Sequence, residues 1–353
     1  MSTTFESARD LILSKVLPLG TERSHLLDVV GRVLAEEVRA PVDMPRWDNS
    51  AMDGFAVRSE DCRPGTNLTV TDYIPAGDTA NNIRVTPGTA VKIMTGAPVP
   101  AGCDAVVPFE ETEESGGFVT IKGKVRARDH IRFRGEDVKA GDFVVSAGTV
   151  LRPPEISMLA SFGRVYVPVF RRPKVAILST GDELVEPGDA VGSGQIVNSN
   201  SFSLAAAVKE LGAEPLMLGI ARDDRESLLE KFREGLKADV LITSAGVSAG
   251  DRDLVREVLE ESGVIGLFWK VDVKPGRPTA FGLKDEKPVF SLPGNPVSTM
   301  VTFEEFVRPA LLKIMGQRNV IKPFTRIALK ETTKKKAGRV QFLRVRVTDN
   351  GKG

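Results

Sequence analysis

The chain has 353 residues, with 48 Lys and Arg against 47 Asp and Glu and two His, so its net charge is near zero. That balance excludes general affinity for nucleic acid or an anionic membrane, which needs a basic excess, although local basic sites stay open. No run of about 18 apolar residues predicts a membrane span, and the length predicts roughly two to four domains.

Residues 1–40 repeat apolar positions at three and four in FESARDLILSKVL and HLLDVVGRVLAEEV, which predicts helices. The first stretch carries acids and lacks a continuous apolar centre, so it does not read as a signal peptide. From Ala40 to about Ala140 the texture changes to short β-rich runs cut by Gly and Pro, such as TAVKIMTGAPVP and GFVTIKGKV. A helical stretch returns in RPPEISMLASFG, with its prolines in the first turn. The expected arrangement is a helical domain of residues 1–40 plus 141–171, with a β domain of residues 41–140 inserted into it.

Residues 172–318 alternate strands and helices. PKVAIL runs into STGDE, ADVLIT into SAGVSAGDRD, and KPVFSLPGNPVSTM into a helix. This predicts a doubly wound, mostly parallel α/β sheet whose strand-to-helix loops share one edge, where such sheets bind ligands. Residues 319–353 turn β-like again in FTRIALKETT and RVQFLRVRV, a partial C-terminal β domain that reads as truncated. The expected fold class is therefore multidomain, α/β with β.

Cys62 and Cys103 lie in no metal-ligand spacing, so a disulfide framework or structural zinc is not expected, and a reducing, cytoplasmic setting is the default. His25 and His130 stand alone. The three loops STGDE, SAGVSAGDRD and SLPGNPVST place small residues and backbone N–H groups before helices, which suits a phosphate. None fits the Walker or GxGxxG pattern. Asp182, Glu183, Asp251 and Asp253 beside them would repel bare phosphate, and acids in that position usually hold Mg²⁺. Helix capping is the competing reading for Asp251 or Asp253. In FWKVDVKPGRPTAFG an extended backbone would turn Lys270, Asp272 and Lys274 to one face, either to grip phosphate or as a surface ladder. MPRWDNSAMDGFAV concentrates acids, an amide and a hydroxyl beside Trp47 and Phe55, a mixture unsuited to an ordinary core strand.

These stretches occur in one order: DNSAMDGFAV, KIMTGAPVPAGCDAVVP, RGEDV, LSTGDEL, SAGVSAGDRD, FWKVDVKPGRPTAFG and SLPGNPVS. In them the chain resembles the MoeA family of molybdopterin molybdenumtransferases, a fold also found as the E domain of gephyrin. The resemblance covers nearly the whole chain. It implies that adenylylated molybdopterin and molybdate react to give molybdenum cofactor and AMP, with Mg²⁺ as cofactor. It also implies a homodimer with a composite site, an α/β domain that is MogA-like, and the adenylyltransferase of the preceding step as a further partner.

Carried over position by position, the resemblance assigns Asp53, Thr95 and Asp137 to the β domain's share of the site. Glu183 and Asp253 would serve Mg²⁺ and catalysis. Asp223, Ser248, Lys270, Lys274, Pro293, Gly294, Asn295, Pro296 and Arg344 would bind substrate, with Arg339 an alternative to Arg344. Plain readings remain beside these: Asp53-Gly54 as a hairpin turn, Thr95-Gly96 as a strand end, Asp223 as a helix cap. The preceding adenylyltransferase reaction and a non-catalytic scaffold are the competing functions. The DNSAMDG stretch speaks against the first, since an adenylyltransferase alone would not need it.

Overall fold

The computed structural model describes residues 3–244, 252–330 and 338–347, without the side chains of Arg252 and Asp253. The chain divides into two compact units, Glu37–Ser146 and the rest, Met1–Glu36 with Ala147–Gly353.

The smaller unit is built on six strands: β1 (Gly54–Val57), β2 (Asn67–Ile74), β3 (Thr89–Ile93), β4 (Ala105–Pro108), β5 (Thr112–Ser115) and β6 (Phe118–Ile121). Their order is β4-β1-β3-β2-β6-β5, antiparallel except for β2 with β3. Alternate residues feed opposite faces, as the pleat requires. Phe55, Val57, Val107, Val119 and Ile121 pack on one side, and Ala56, Val91, Ile93 and Val106 on the other. Both faces of β1 are therefore buried, which is why GFAV is apolar throughout. Gly54 is required there, because a β-carbon would overlap the Val107 carbonyl.

The larger unit holds a second six-stranded sheet: β7 (Lys174–Thr180), β8 (Glu214–Ala221), β9 (Val240–Ser244), β10 (Ile265–Phe268), β11 (Ala280–Lys284) and β12 (Lys287–Leu292). The order is β8-β7-β9-β12-β11-β10. The first four strands run parallel, and β11 is antiparallel to both its neighbours. β10 therefore points the same way as the parallel strands, and its carboxyl end lies on their ligand edge.

The helices are α1 (Phe5–Lys15), α2 (Pro153–Ser161), α3 (Ser199–Glu210), α4 (Arg225–Gly235), α5 (Arg252–Glu261), α6 (Pro296–Thr302) and α7 (Arg308–Ile314). Val175 and Ile177 of β7 face a core with α1, α3 and α7, while Ala176 and Leu178 face α4 and α5. The sheet is doubly wound, as the alternation predicts. α3 starts where the Asn198 side chain accepts the Ser201 N–H and stops at Leu211, just before Gly212 turns to a φ of 87°. No helix among the described residues is long and apolar enough to cross a membrane.

Two expectations fail. HLLDVVGRVLAEEV is not a helix: Leu26–Val29 makes one 3₁₀ turn, Gly31 reverses the chain at a φ of 75°, and Val33 and Leu34 bridge antiparallel to Val150 and Val169. Strand pairing overrides a helical period in a stretch rich in β-branched Val. α1, moreover, packs into the α/β core and forms no part of a separate helical domain. The expected C-terminal β domain also differs: among the described residues after Gln317, the only strand is Val340–Gln341, parallel to Val273–Lys274. Phe342 completes that pairing by lodging against Phe5 of the same core, ring centres 5.5 Å apart.

Candidate functional site

In the smaller unit the DNSAMDG stretch ends at β1, and the MTG turn follows β3, the neighbour of β1. Their pairing sets Gly54 opposite Ile93, and this brings Asp53 to Thr95. Asp53 Oδ1 accepts the Thr95 N–H at 2.6 Å and the Thr95 hydroxyl at 2.8 Å. Both residues are exposed. The two hydrogen bonds hold the Asp53 carboxyl below the usual 3.8, the backbone bond contributing most. The hydroxyl spends its proton on Asp53, so what the pair offers a ligand is acceptor oxygen. Asp53 is thus fixed through its side chain, beyond any turn role.

Asp137 joins through a cation. Arg132 donates to its carboxylate at 2.9 Å, and Arg132 pairs with Asn49 of the DNSAMDG stretch, next to Ile131 with Ser50. The Arg134 N–H donates to Asp48 at 2.7 Å. Asp137 is thus tied to the DNSAMDG stretch through Arg132, and Arg134 is bonded to the same stretch at Asp48. Neither arginine stood out in the sequence. Their signal was the alternating run KGKVRARDHIRFR, which the near-zero net charge masks.

In the larger unit four strand ends meet at one edge of the sheet. Gly181 after β7 sits at a φ of 143°, and the Glu183 carboxylate folds over it so closely that a β-carbon would overlap it. The Asp182 N–H donates to the Asp223 carboxylate at 3.3 Å and the Asp223 N–H to the Asp182 carboxylate at 3.2 Å, which ties the loops after β7 and β8. Arg222 donates to the Asp182 and Leu184 carbonyls and pins the same turn. Asp223 is not the helix cap. Asp224 caps α4, accepting the Ser227 N–H at 2.8 Å.

A fully buried hydroxyl centre lies beneath. Ser179 Oγ is 2.9 Å from Asn198 Oδ1, 2.8 Å from Ser201 Oγ and 2.9 Å from Ser244 Oγ. An amide oxygen only accepts, so Ser179 donates to Asn198 and the other two serines must donate to Ser179. The ends of β7 and β9 are thereby locked to the first turn of α3. Two residues along, Asn200 Nδ2 donates to the Gly294 carbonyl at 2.7 Å and ties in the loop after β12.

That loop corrects one expectation. The first-turn N–H groups of α6 do not await an anion: Asn295 Oδ1 already accepts from Val297 and Ser298, and Pro296 has none. The open donors are the N–H groups of exposed Gly294 and Asn295, while Pro293 is buried. Beyond β10, Val271 and Val273 turn into the core and Lys270 and Lys274 outward, as an extended segment requires. Gly276 packs on Ser298 and Thr302 of α6, where a β-carbon would overlap the Thr302 methyl. The lysine segment and the SLPGNPVS loop are thus neighbours. Arg344 and Arg339 are exposed on either side of Val340–Gln341. Ser248 and Asp251, and the side chain of Asp253, lie outside the described residues.

Among the described residues, no group of three or more His, Cys, Asp or Glu could hold a metal unaided. Mg²⁺ asks for less, since one or two carboxylates and substrate phosphates complete its octahedron. Asp182, Glu183 and Asp223 are hard oxygen donors at the edge where phosphate would lie, so the donor set fits. Burial pushes both thiols, Cys62 and Cys103, up to about 11, which leaves them poor ligands.

Two family models match most of the chain. Residues 3–163 match the MoeA N-terminal region (domains I and II), and residues 176–313 a probable molybdopterin binding domain. This chain belongs to the MoeA family. A molybdopterin molybdenumtransferase of Haemophilus influenzae is 40% identical over 346 residues, covering 97% of this chain and 85% of that protein. Molybdopterin molybdenumtransferase 2 of Mycobacterium tuberculosis is 40% identical over 332 residues, covering 90% and 81%. The MoeA crystal structure from Pyrococcus horikoshii superposes with a TM-score of 0.79 at 34% identity, over 90% of this chain and 81% of that one. As in that MoeA structure, mixed sheets and helices make up the fold.

Proposed function

We propose that this chain is a molybdopterin molybdenumtransferase of molybdenum cofactor biosynthesis, acting on adenylylated molybdopterin and molybdate and releasing AMP. One observation carries the reading beyond the family: an ionised, hydrogen-bonded Asp53–Thr95 pair on one unit, and strand-end loops with outward lysines on the other. The first suits orientation of a hydrogen-bond donor, and the second suits a phosphoanhydride.

The chemistry follows from what each group can do. Asp53, with its lowered pKa, is a weak base, so its part is charge and orientation and not proton abstraction. Arg132, held by Asp137 and Asn49, supplies the cation that an incoming oxyanion needs. Lys270 and Lys274 place positive charge beside the anhydride, and the Gly294 and Asn295 N–H groups can donate to its oxygens. Pro293 and Pro296 fix the path of that loop. Glu183 and Asp253 would hold Mg²⁺, which when bound neutralises phosphate charge. Asp223 and Ser248 would contact the adenylate, and Arg344 the substrate. Molybdenum ends on the pterin's own sulfurs, so inert cysteines are no obstacle.

A homodimer belongs to the same proposal, one copy supplying Asp53 and its partner the strand-end loops. Mixing two inactive variants, Asp53→Ala and Glu183→Ala, tests it. Partial recovery of AMP release is the expected result, and no recovery after subunit exchange speaks against a shared site. Pyrophosphate release from ATP would favour the adenylyltransferase reading instead.

A further inference from the structure

Every second residue from Lys122 to Arg134 is basic and exposed: Lys122, Lys124, Arg126, Arg128, His130, Arg132 and Arg134. Val125 and Ile131 between them turn toward the two cores. Elsewhere in this unit acids outnumber cations more than twofold, so the positive charge is segregated here. Arg132 and Arg134 are engaged by Asp137 and Asp43, and Lys122 reaches Glu113 only at 4.0 Å. Lys124, Arg126 and Arg128 have no ion partner among the described residues. The Asp129 carboxylate, which could have paired with them, accepts the Arg126 backbone N–H instead.

The backbone adds an independent observation. Arg128 and His130 take φ values of 79° and 55°, a left-handed conformation that non-glycine residues adopt at some cost. Arg128 is held with its guanidinium 4.5 Å from the centre of the Phe133 ring. The ribbon is also bonded to the candidate site. The His130 carbonyl accepts the Ala51 N–H at 2.9 Å, and Ile131 and Arg132 pair with Ser50 and Asn49.

We propose that the ribbon from Lys124 to Arg134 is an anion-collecting site that binds the phosphate-bearing end of a polyanionic small molecule beside the DNSAMDG stretch. The choice of ligand class rests on the function proposed above, whose two substrates are anions. Without the ribbon, the surface around Asp53 would repel them. Unpaired, solvated cations interact over a Debye length, so they raise local substrate concentration and encounter rate and contribute little to the chemical step.

Trp47 immediately precedes that stretch and is half exposed, which gives the test a direct readout. In a Trp269→Phe background Trp47 is the only tryptophan, and its fluorescence is titrated with inorganic pyrophosphate at low and at high salt. The variant Lys124→Gln/Arg126→Gln/Arg128→Gln should bind roughly tenfold more weakly at low salt, the gap closing at high salt. Arg63→Gln/Arg84→Gln, two exposed cations elsewhere in the unit, should behave as the parent does. Equal affinity of parent and triple variant, or equal loss in the control pair, overturns the proposal. So does retention of an acidic protein by a chain that ignores pyrophosphate. The titration needs no turnover, so a parent that binds but releases no AMP would sink the proposed function and leave the ribbon standing.

Discussion

Asp53 and Thr95 are joined twice, by a backbone N–H at 2.6 Å and a hydroxyl at 2.8 Å, both to the same carboxylate oxygen. Since these bonds favour the charged form, the carboxyl titrates below 3.8. The linked interaction is therefore present above the unfolded pKa and is lost as pH falls through the folded one. Thr95→Val removes the hydroxyl and leaves the larger backbone contribution. A carbon-detected NMR titration should show the Asp53 pKa rising part of the way toward 3.8. No change in that pKa would mean the hydroxyl bond is not made in solution.

Gly54→Ala should damage the smaller unit without touching a charged group. A β-carbon there overlaps the Val107 carbonyl, so β1 and β4 must separate. The expected loss exceeds about 2 kcal/mol in chemical denaturation, and the larger unit's transition, if separately resolved, should stay in place.

Ser179→Ala probes the buried hydroxyl centre. The serines at 201 and 244 lose their acceptor, and Asn198 loses a donor. A cost of about 1–3 kcal/mol is expected by denaturant titration. Asn200→Ala frees only the Gly294 carbonyl, which is exposed, and should cost less than Ser179→Ala.

Asp223 and Asp224 are adjacent and should separate cleanly. Asp224→Ala removes the α4 cap and should cost about 1 kcal/mol of stability with AMP release nearly intact. Asp223→Ala should leave the cap in place and reduce AMP release strongly. The opposite pattern would return Asp223 to a capping role.

Legibility in the sequence followed the range of the determining interaction. The α/β unit was readable because its strands and the loops after them declare themselves locally: PKVAIL into STGDE, ADVLIT into SAGVSAGDRD, KPVFSL into PGNPVSTM. HLLDVVGRVLAEEV misled because its conformation is decided by distant pairing, of Val33 with Val150 and Leu34 with Val169. Asp53 and Thr95 were singled out through motifs, but their meeting depends on the β1–β3 register, which no local pattern displays. Ser179 and Asn200 carry no chemical signature at all. Their importance comes from what surrounds them. Likewise, an N–H count at LPGNP overlooked that Asn295 consumes the donors itself.

The most direct measurement follows AMP released from adenylylated molybdopterin by the purified chain, with Mg²⁺ present, before and after molybdate is added. AMP should appear only after the addition, in step with molybdenum bound to the pterin, and Asp53→Ala should abolish both. Release at the same rate without molybdate, or undiminished release by Asp53→Ala, would contradict the proposed reaction and the place of Asp53 in it.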